Sequence, residues 1–371
     1  MSDEIPTNRL LGLSLQELTD LVVEAGQPSY RGRQLFEALY AGRVQSIEEI
    51  STLPSEFRRD LTQRGISVGL PTVEKKFVSS DGTIRYLVGF PDGQSVETVW
   101  MPEGDSGESG DGTEAGEPTS SRAFDRATIC VSSQVGCAVA CQFCMTALLG
   151  VKRNLSAGEI VGQISAVLRD QKVIPPQDRI NLVFMGMGEP FLNYDNFIKA
   201  VRLLVEGVGI PETRMTVSTA GIVPRIHDLG QEEIRPKLAI SLNASNDEAR
   251  ERLMPINRKW NLKELIAAAR EFPLRNREKL TFEYVLLNEV NDAPRHAREV
   301  VELIRGLRAK VNLIALNPGP GIDFQTPAEQ RVLEFQKILI SSGIPTFVRR
   351  PRGRDIYAAC GQLKRTVELT A

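Results

Sequence analysis

Residues 128 to 144 read Thr128-Ile-Cys130-Val-Ser-Ser-Gln-Val-Gly-Cys137-Ala-Val-Ala-Cys141-Gln-Phe-Cys144, a β-rich run that empties into three closely spaced cysteines. Three thiolates on one short loop can wrap a single polynuclear metal group. A four-iron cluster is usually held by four cysteines, so a set of three leaves one iron able to bind a small molecule. Structural zinc would want a fourth Cys or His close by, and no histidine lies in this segment. The order strand, then reactive loop, is how α/β folds present chemistry, at the carboxyl ends of their strands.

Downstream of this loop, β-rich runs recur at Ile180–Met185, Arg214–Thr219, Lys237–Leu242, Thr281–Leu287 and Val311–Leu316, with helical patterns between them. One helix is expected to start at the capping box Ser156-x-x-Glu159, another at Thr326-Pro327-x-Glu329. Together with Thr128–Ser133, six β–α repeats predict a parallel sheet. We expect it to curl into a partial (β/α)6 barrel rather than lie as a flat doubly wound sheet. Upstream, Val73–Ser79, Ile84–Phe90 and Ser95–Met101 alternate as strands around Ser80-Asp81-Gly82 and Pro91-Asp92-Gly93, the chemistry of a meander. Leu10–Ala25 and Arg31–Ala41 carry helix-period apolar positions. The expected organisation is a helical accessory module at 1–70, a meander at 71–101, a Gly/Ser/Glu-rich flexible loop at 102–123, and a core at 124–371.

The chain has 371 residues and a formal net charge of −2, which gives no global case for nucleic-acid binding. Locally the balance breaks: residues 103–117 carry six acids and no base, and 349–354 carry four arginines. No run is apolar and long enough to span a bilayer, and the first residues lack the basic and apolar regions of a signal peptide. A cytoplasmic protein is expected. Its five cysteines are an odd number for a disulfide framework and point to metal binding or catalysis. With two histidines, His227 and His296, there is little material for histidine chemistry. Cys130 precedes the cysteine loop. Cys360 follows the Arg349–Arg354 run, where nearby positive charge favours a thiolate.

The C-x3-C-x2-C spacing of Cys137, Cys141 and Cys144 resembles the radical S-adenosylmethionine (SAM) signature. Val96-Glu97-Thr98-Val99, Cys130-Val-Ser-Ser-Gln-Val-Gly-Cys137, Met185-Gly-Met-Gly-Glu189-Pro190 and the closing Ala-Ala-Cys360-Gly-Gln extend the likeness over nearly the whole chain. In these motifs it resembles the RlmN family of radical SAM RNA methyltransferases, related to the Cfr methyltransferases. That resemblance implies a [4Fe-4S] cluster on the three loop cysteines, with SAM as second cofactor. It also implies methylation of C2 of an adenosine in 23S rRNA, and in some members of tRNA. Cys360 would carry the methyl group, Cys130 would resolve a covalent RNA adduct by forming a disulfide with it, and Glu97 would accept a proton. SAM contacts would come from Gly188, Glu189, Ser218, Ser241, Leu242, Asn243 and Asn317, with Asn243 standing where a histidine is common in the family. The expected partners are 23S rRNA, possible tRNA substrates and an electron-donor protein, with no membrane and a monomeric chain. Two other readings compete: methylation at C8 of the same base, and a non-enzymatic iron–sulfur or zinc protein that binds RNA.

Overall fold

Ser14 and Glu17 form a reciprocal capping box that starts α1 (Leu15–Glu24). The helix therefore begins later than its apolar period suggests. It packs on α2 (Tyr30–Tyr40), and α3 (Ser55–Gln63) completes the amino-terminal helices. Tyr40 fastens this region to the preceding chain: its hydroxyl donates to Leu13 O at 2.7 Å and accepts from Gly12 N at 3.0 Å. The computed structural model describes residues 8–102 and 126–364. The acidic stretch 103–117, and most of the loop expected at 102–123, lie outside the described residues.

The meander strands are β1 (Thr72–Val78), β2 (Ile84–Gly89) and β3 (Ser95–Pro102). They do not form a separate unit. β3 pairs antiparallel with β4 (Ala127–Cys130), so one ten-stranded sheet runs from the meander through the core. Beyond β4 come β7 (Ile180–Phe184), β8 (Met215–Thr219), β9 (Lys237–Ser241), β10 (Leu280–Leu286) and β11 (Ala309–Ala315), each parallel to its neighbour. A short edge strand, β12 (Thr346–Val348), adds to β11 and has too few residues for alternation to reveal. The cysteine loop lies inside a small hairpin of β5 (Gln134–Gly136) and β6 (Val151–Asn154), also absent from the sequence expectation.

The helices are α4 (Ala157–Asp170), α5 (Tyr194–Leu203), α6 (Val223–Gln231), α7 (Asp247–Leu253), α8 (Leu262–Glu271), α9 (Pro294–Leu303) and α10 (Glu329–Ser341). The Ser156–Glu159 capping box starts α4 as expected. The expected start at Thr326 is corrected. The Thr326 hydroxyl donates to Leu316 O at 2.8 Å, which holds it to the end of β11, and the residue before α10 is Ala328.

The helices cover one face of the sheet. Phe184 packs edge-on against Phe197 of α5, Tyr284 against Phe335 of α10, and Thr98 hydrogen-bonds Gln163 of α4. Strand alternation sends the intervening residues to the opposite face. Following the register, that face carries Glu97, Val99, Cys130, Val183, Thr216, Ser218, Ser241, Glu283 and Asn312. A polar inner face beneath an apolar helix-facing one belongs to a sheet that surrounds a site. Strands spaced ~4.8 Å apart would set the edges of a flat ten-stranded sheet roughly 43 Å from each other. Yet Gly353, five residues past β12, donates to Asp81 in the β1–β2 turn at 3.0 Å. The sheet is therefore curled, as a partial barrel requires.

Candidate active site

Gly136 lets the two arms of the cysteine hairpin cross. Its φ is +81°, and a Cβ there would lie 1.7 Å from Gly150 O. Cys137 N then donates to Gly150 O at 3.1 Å, and Ala140 takes a left-handed φ of 57°, which folds the loop back on itself. Gln142 N donates to Leu253 O at 2.9 Å, docking the loop on the end of α7. Cys137, Cys141 and Cys144 pack against an apolar shell of Val139, Phe143, Ala220, Leu253, Met254, Leu287 and Leu316. Burial first, then the neighbouring thiols, pushes Cys137 up to about 12 and Cys141 well above its ordinary value.

This donor set fits a cluster better than an ion. The loop carries three cysteines and no histidine, one ligand short of a structural zinc site. Zinc would need each sulfur at ~2.3 Å from a common centre. The separate irons of a cubic cluster take their thiolates at separate corners, inside an apolar shell of the kind that tunes such groups.

A cation stands beside this loop. Arg250 of α7 is fully buried. It donates to Ala220 O at 2.7 Å, Asn257 Oδ1 at 2.9 Å, Leu242 O at 3.1 Å and Ser241 O at 3.2 Å. None of these acceptors carries a full charge. Burial lowers the guanidinium to about 10, while Cys141 and Asp247 favour its charged form. A buried charge needs an anion nearby; Asp247 provides one, and a Cys141 thiolate holding a cluster would provide another. The sequence hid this residue, because Asp247-Glu-Ala-Arg-Glu-Arg252 reads as an exposed charged helix.

The loop after β7 packs on the cysteine hairpin. Gly188 has φ +98°, and a Cβ there would lie 2.6 Å from Gln134 N, so the close approach requires glycine. Glu189 N donates to Gln134 Oε1 at 2.9 Å. The Glu189 carboxylate accepts from Ala220 N at 2.7 Å and Phe191 N at 3.0 Å, and burial raises it to about 7. It ties the ends of β7 and β8 together. On the inner face, Ser218 donates to Glu283 Oε2 at 2.7 Å and lies 3.2 Å from the Ser241 hydroxyl. Sequence reasoning missed Glu283; its signal was a carboxylate at an alternating position of Thr281–Leu287. The Asn243 amide is already engaged, since it accepts from Val285 N at 2.9 Å and donates to Met254 Sδ at 3.2 Å. Leu242 is buried and can offer a ligand only its backbone.

Glu97 is fully buried and forms an ion pair with Arg85 on the neighbouring strand. The pair engages the Oε1 oxygen of the carboxylate. Cys130 ends β4 on the inner face and is 9% exposed. Cys360 is exposed, on the segment after β12, where Asn317 Nδ2 donates to its carbonyl at 3.4 Å. Burial, then the charges of Cys360 and Glu283, push the Cys130 thiol up, which places the two cysteines within electrostatic reach. None of the five cysteines is disulfide-bonded, so the disulfide implied by the resemblance is not a standing feature of the fold. The physical reason is placement: one thiol is enclosed at a strand end, the other lies out on the carboxyl-terminal segment.

Residues 131–304 match the radical SAM superfamily, and the partial barrel with its three-cysteine loop is the architecture of that class. A crystal structure of a radical SAM methyltransferase from Sphaerobacter thermophilus superposes with a TM-score of 0.86 at 41% identity, covering 96% of this chain and 99% of that one. The "Probable dual-specificity RNA methyltransferase RlmN" of Koribacter versatilis (strain Ellin345) is 68% identical over 93% of this chain and 98% of its own length. The "Dual-specificity RNA methyltransferase RlmN" of Syntrophobacter fumaroxidans (strain DSM 10017 / MPOB) is 46% identical over 94% and 96%. The chain belongs to the RlmN family and is a radical SAM RNA methyltransferase.

Proposed function

We propose that the protein methylates C2 of an adenosine in 23S rRNA, and the equivalent atom in a tRNA adenosine, with Cys360 as the methyl carrier. The observation that carries this reading is the pair formed by an exposed Cys360 and a buried Cys130 beside the three-cysteine loop. An adenine C2–H carbon is not nucleophilic, so direct displacement on a methyl donor is closed to it. A carrier thiol and a second thiol solve that problem.

Cys137, Cys141 and Cys144 would hold the [4Fe-4S] cluster. SAM would lie over the inner face, against the backbone of Gly188, Glu189, Leu242 and Asn243, the hydroxyls of Ser218 and Ser241, and Asn317. Bound together, cluster and SAM supply a methyl group and a radical able to take a hydrogen from it. Cys360 takes the methyl on sulfur, its thiol proton leaving. Once one hydrogen of that group has been taken by the radical, the carbon bonds to C2 of the base, whose own hydrogen leaves as a proton, and the unpaired electron would return to the bound cluster. Cys130, as thiolate, then attacks the Cys360 sulfur. The carbon–sulfur bond breaks, its electron pair passes to the base-bound carbon, and that carbon takes a proton. The two sulfurs finish as a disulfide, which a two-electron thiol reductant resets, so a reducing cytoplasm suits the cycle.

RNA would dock on the amino-terminal helices and on the basic run before Cys360. In that run Arg352 donates to Pro102 O at 3.1 Å, while Arg350 and Arg354 are exposed and placed for phosphate. The chain would act as a monomer fed by an electron-donor protein. Among the described residues no helix is long and apolar enough to cross a membrane.

The test is nucleoside mass spectrometry on unmodified 23S rRNA and tRNA after incubation with reconstituted protein, SAM and reductant. 2-Methyladenosine is the expected product in both. 8-Methyladenosine would assign the Cfr-like carbon, and modification of one RNA alone would remove the other as substrate.

A further inference from the structure

Besides the bonds from Asn317 to the Cys360 carbonyl and from Arg352 to Pro102 O, the segment that carries Cys360 is held on either side of the cysteine. After the cysteine, it is fixed to the metal-binding loop and its neighbour: Met145 N donates to Gly361 O at 2.8 Å, Thr146 Oγ1 to Leu363 O at 2.6 Å, and Gln362 Nε2 to Pro318 O at 2.8 Å. Before the cysteine, it crosses from one edge of the sheet to the other. There Asp355 accepts from Ser79 Oγ at 2.6 Å and from Ser80 N at 3.2 Å. In return, Asp81 of the same β1–β2 turn accepts from Gly353 N at 3.0 Å.

Each carboxylate thus grips the other segment. Asp81 is organised by its own turn, since Thr83 N donates to it at 2.9 Å. Ser79 is 6% exposed and Ile356, next to Asp355, is 3% exposed, while the two carboxylates themselves stand at the surface. The three charge-assisted bonds act together across the two segments. Between the two attachments lie residues 356–360, with Tyr357 in a left-handed turn of φ 53°. Cys360 stands at the end of this short span, exposed and unjoined to the buried Cys130.

We propose that the reciprocal Asp81–Asp355 grip is a latch that holds the Cys360 segment across the open side of the barrel and keeps the two thiols apart until resolution. Asp355, Ser79 and Asp81 are positioning residues; none touches the reacting atoms. The inference rests on the carrier-and-resolver reading above. It makes the antiparallel meander the far anchor of the catalytic segment. It also explains how two cysteines needed for a terminal disulfide avoid forming it in the resting enzyme. Release of the latch lets the span shorten toward Cys130.

The test is the rate of Cys130–Cys360 disulfide formation in the cluster-loaded protein, without RNA or SAM, under anaerobic oxidised glutathione. One glutathione disulfide is reduced to two thiols as the protein pair is oxidised. The product is read by differential alkylation and peptide mass spectrometry. Asp355→Ala removes two hydrogen bonds and should speed formation about tenfold, the size of one net charged hydrogen bond. Asp355→Asn keeps an acceptor for Ser79 and should fall between Asp355→Ala and wild type. Ser79→Ala should add little to Asp355→Ala, because both break one interaction. A rate for Asp355→Ala within about twofold of wild type, or additive effects of the two substitutions, would overturn the latch. Because the readout needs neither RNA nor methyl transfer, a wrong assignment of the methylated carbon would leave this result standing. Conversely, a failed latch leaves the methylation product unchanged in identity.

Discussion

Cys130→Ala protein, given RNA, SAM and reductant, accumulates RNA joined covalently to Cys360 and stops after one turnover. The expectation follows from where the thiols are. Cys130 lies on the inner face at the end of β4, within electrostatic reach of Cys360, and the other three cysteines lie together on the loop between β5 and β6. With Cys130 gone, no thiol remains to attack the adducted sulfur. Removing one sulfur from a buried site costs on the order of 1 kcal/mol, within what a domain of this size tolerates. Denaturing electrophoresis and mass spectrometry of the Cys360 peptide report the adduct. A Cys130→Ala enzyme that cleaves SAM, forms no adduct and still turns over would remove the resolving role. The wild-type enzyme adds a signed pH dependence. In the adduct the Cys360 sulfur carries no charge, so burial first and then Glu283 keep the Cys130 thiol raised, and only its thiolate attacks. Resolution should therefore accelerate as pH rises from 7 to 9, read as the decay rate of the adduct.

Arg250→Met should unfold the protein more readily than any conservative change at an exposed arginine. The guanidinium is enclosed and holds Ala220 O, Ser241 O, Leu242 O and Asn257 Oδ1, which join the ends of β8 and β9 to α7. Methionine fills similar space but leaves those oxygens without their donor. The expected loss is about 3–5 kcal/mol, read as a lower denaturant midpoint. Arg250→Lys keeps the charge beside Cys141 but not the planar fork, so its loss should be smaller. An Arg250→Met protein as stable as wild type would mean that the buried cation does not organise the strand ends.

The cysteine loop, the α4 cap and the core strands were legible because each depends on local pattern. Cys137, Cys141 and Cys144 are close in sequence and lie on one loop; alternation marks β7 through β11. What escaped depends on contacts distant along the chain. Arg250 sits in a charged heptapeptide whose burial is set by the ends of β8 and β9. Glu283 looks like any strand carboxylate until the register puts Ser218 and Ser241 beside it. Thr326 has the residue type of a helix cap, but its hydroxyl is taken by the end of β11. Glu97 was singled out by resemblance, and only the fold shows that Arg85 holds it. The grip between Asp81 and Asp355 spans most of the chain and leaves no local trace.

The central claim is that the methyl group reaches adenosine through a cysteine sulfur and loses a hydrogen on the way. Incubating the reconstituted protein with methyl-trideuterated SAM and unmodified 23S rRNA tests it most directly. 2-Methyladenosine carrying two deuteriums is the predicted product. A methyl group that retains all three deuteriums would contradict the account, because the carrier route requires one carbon–hydrogen bond of that group to break.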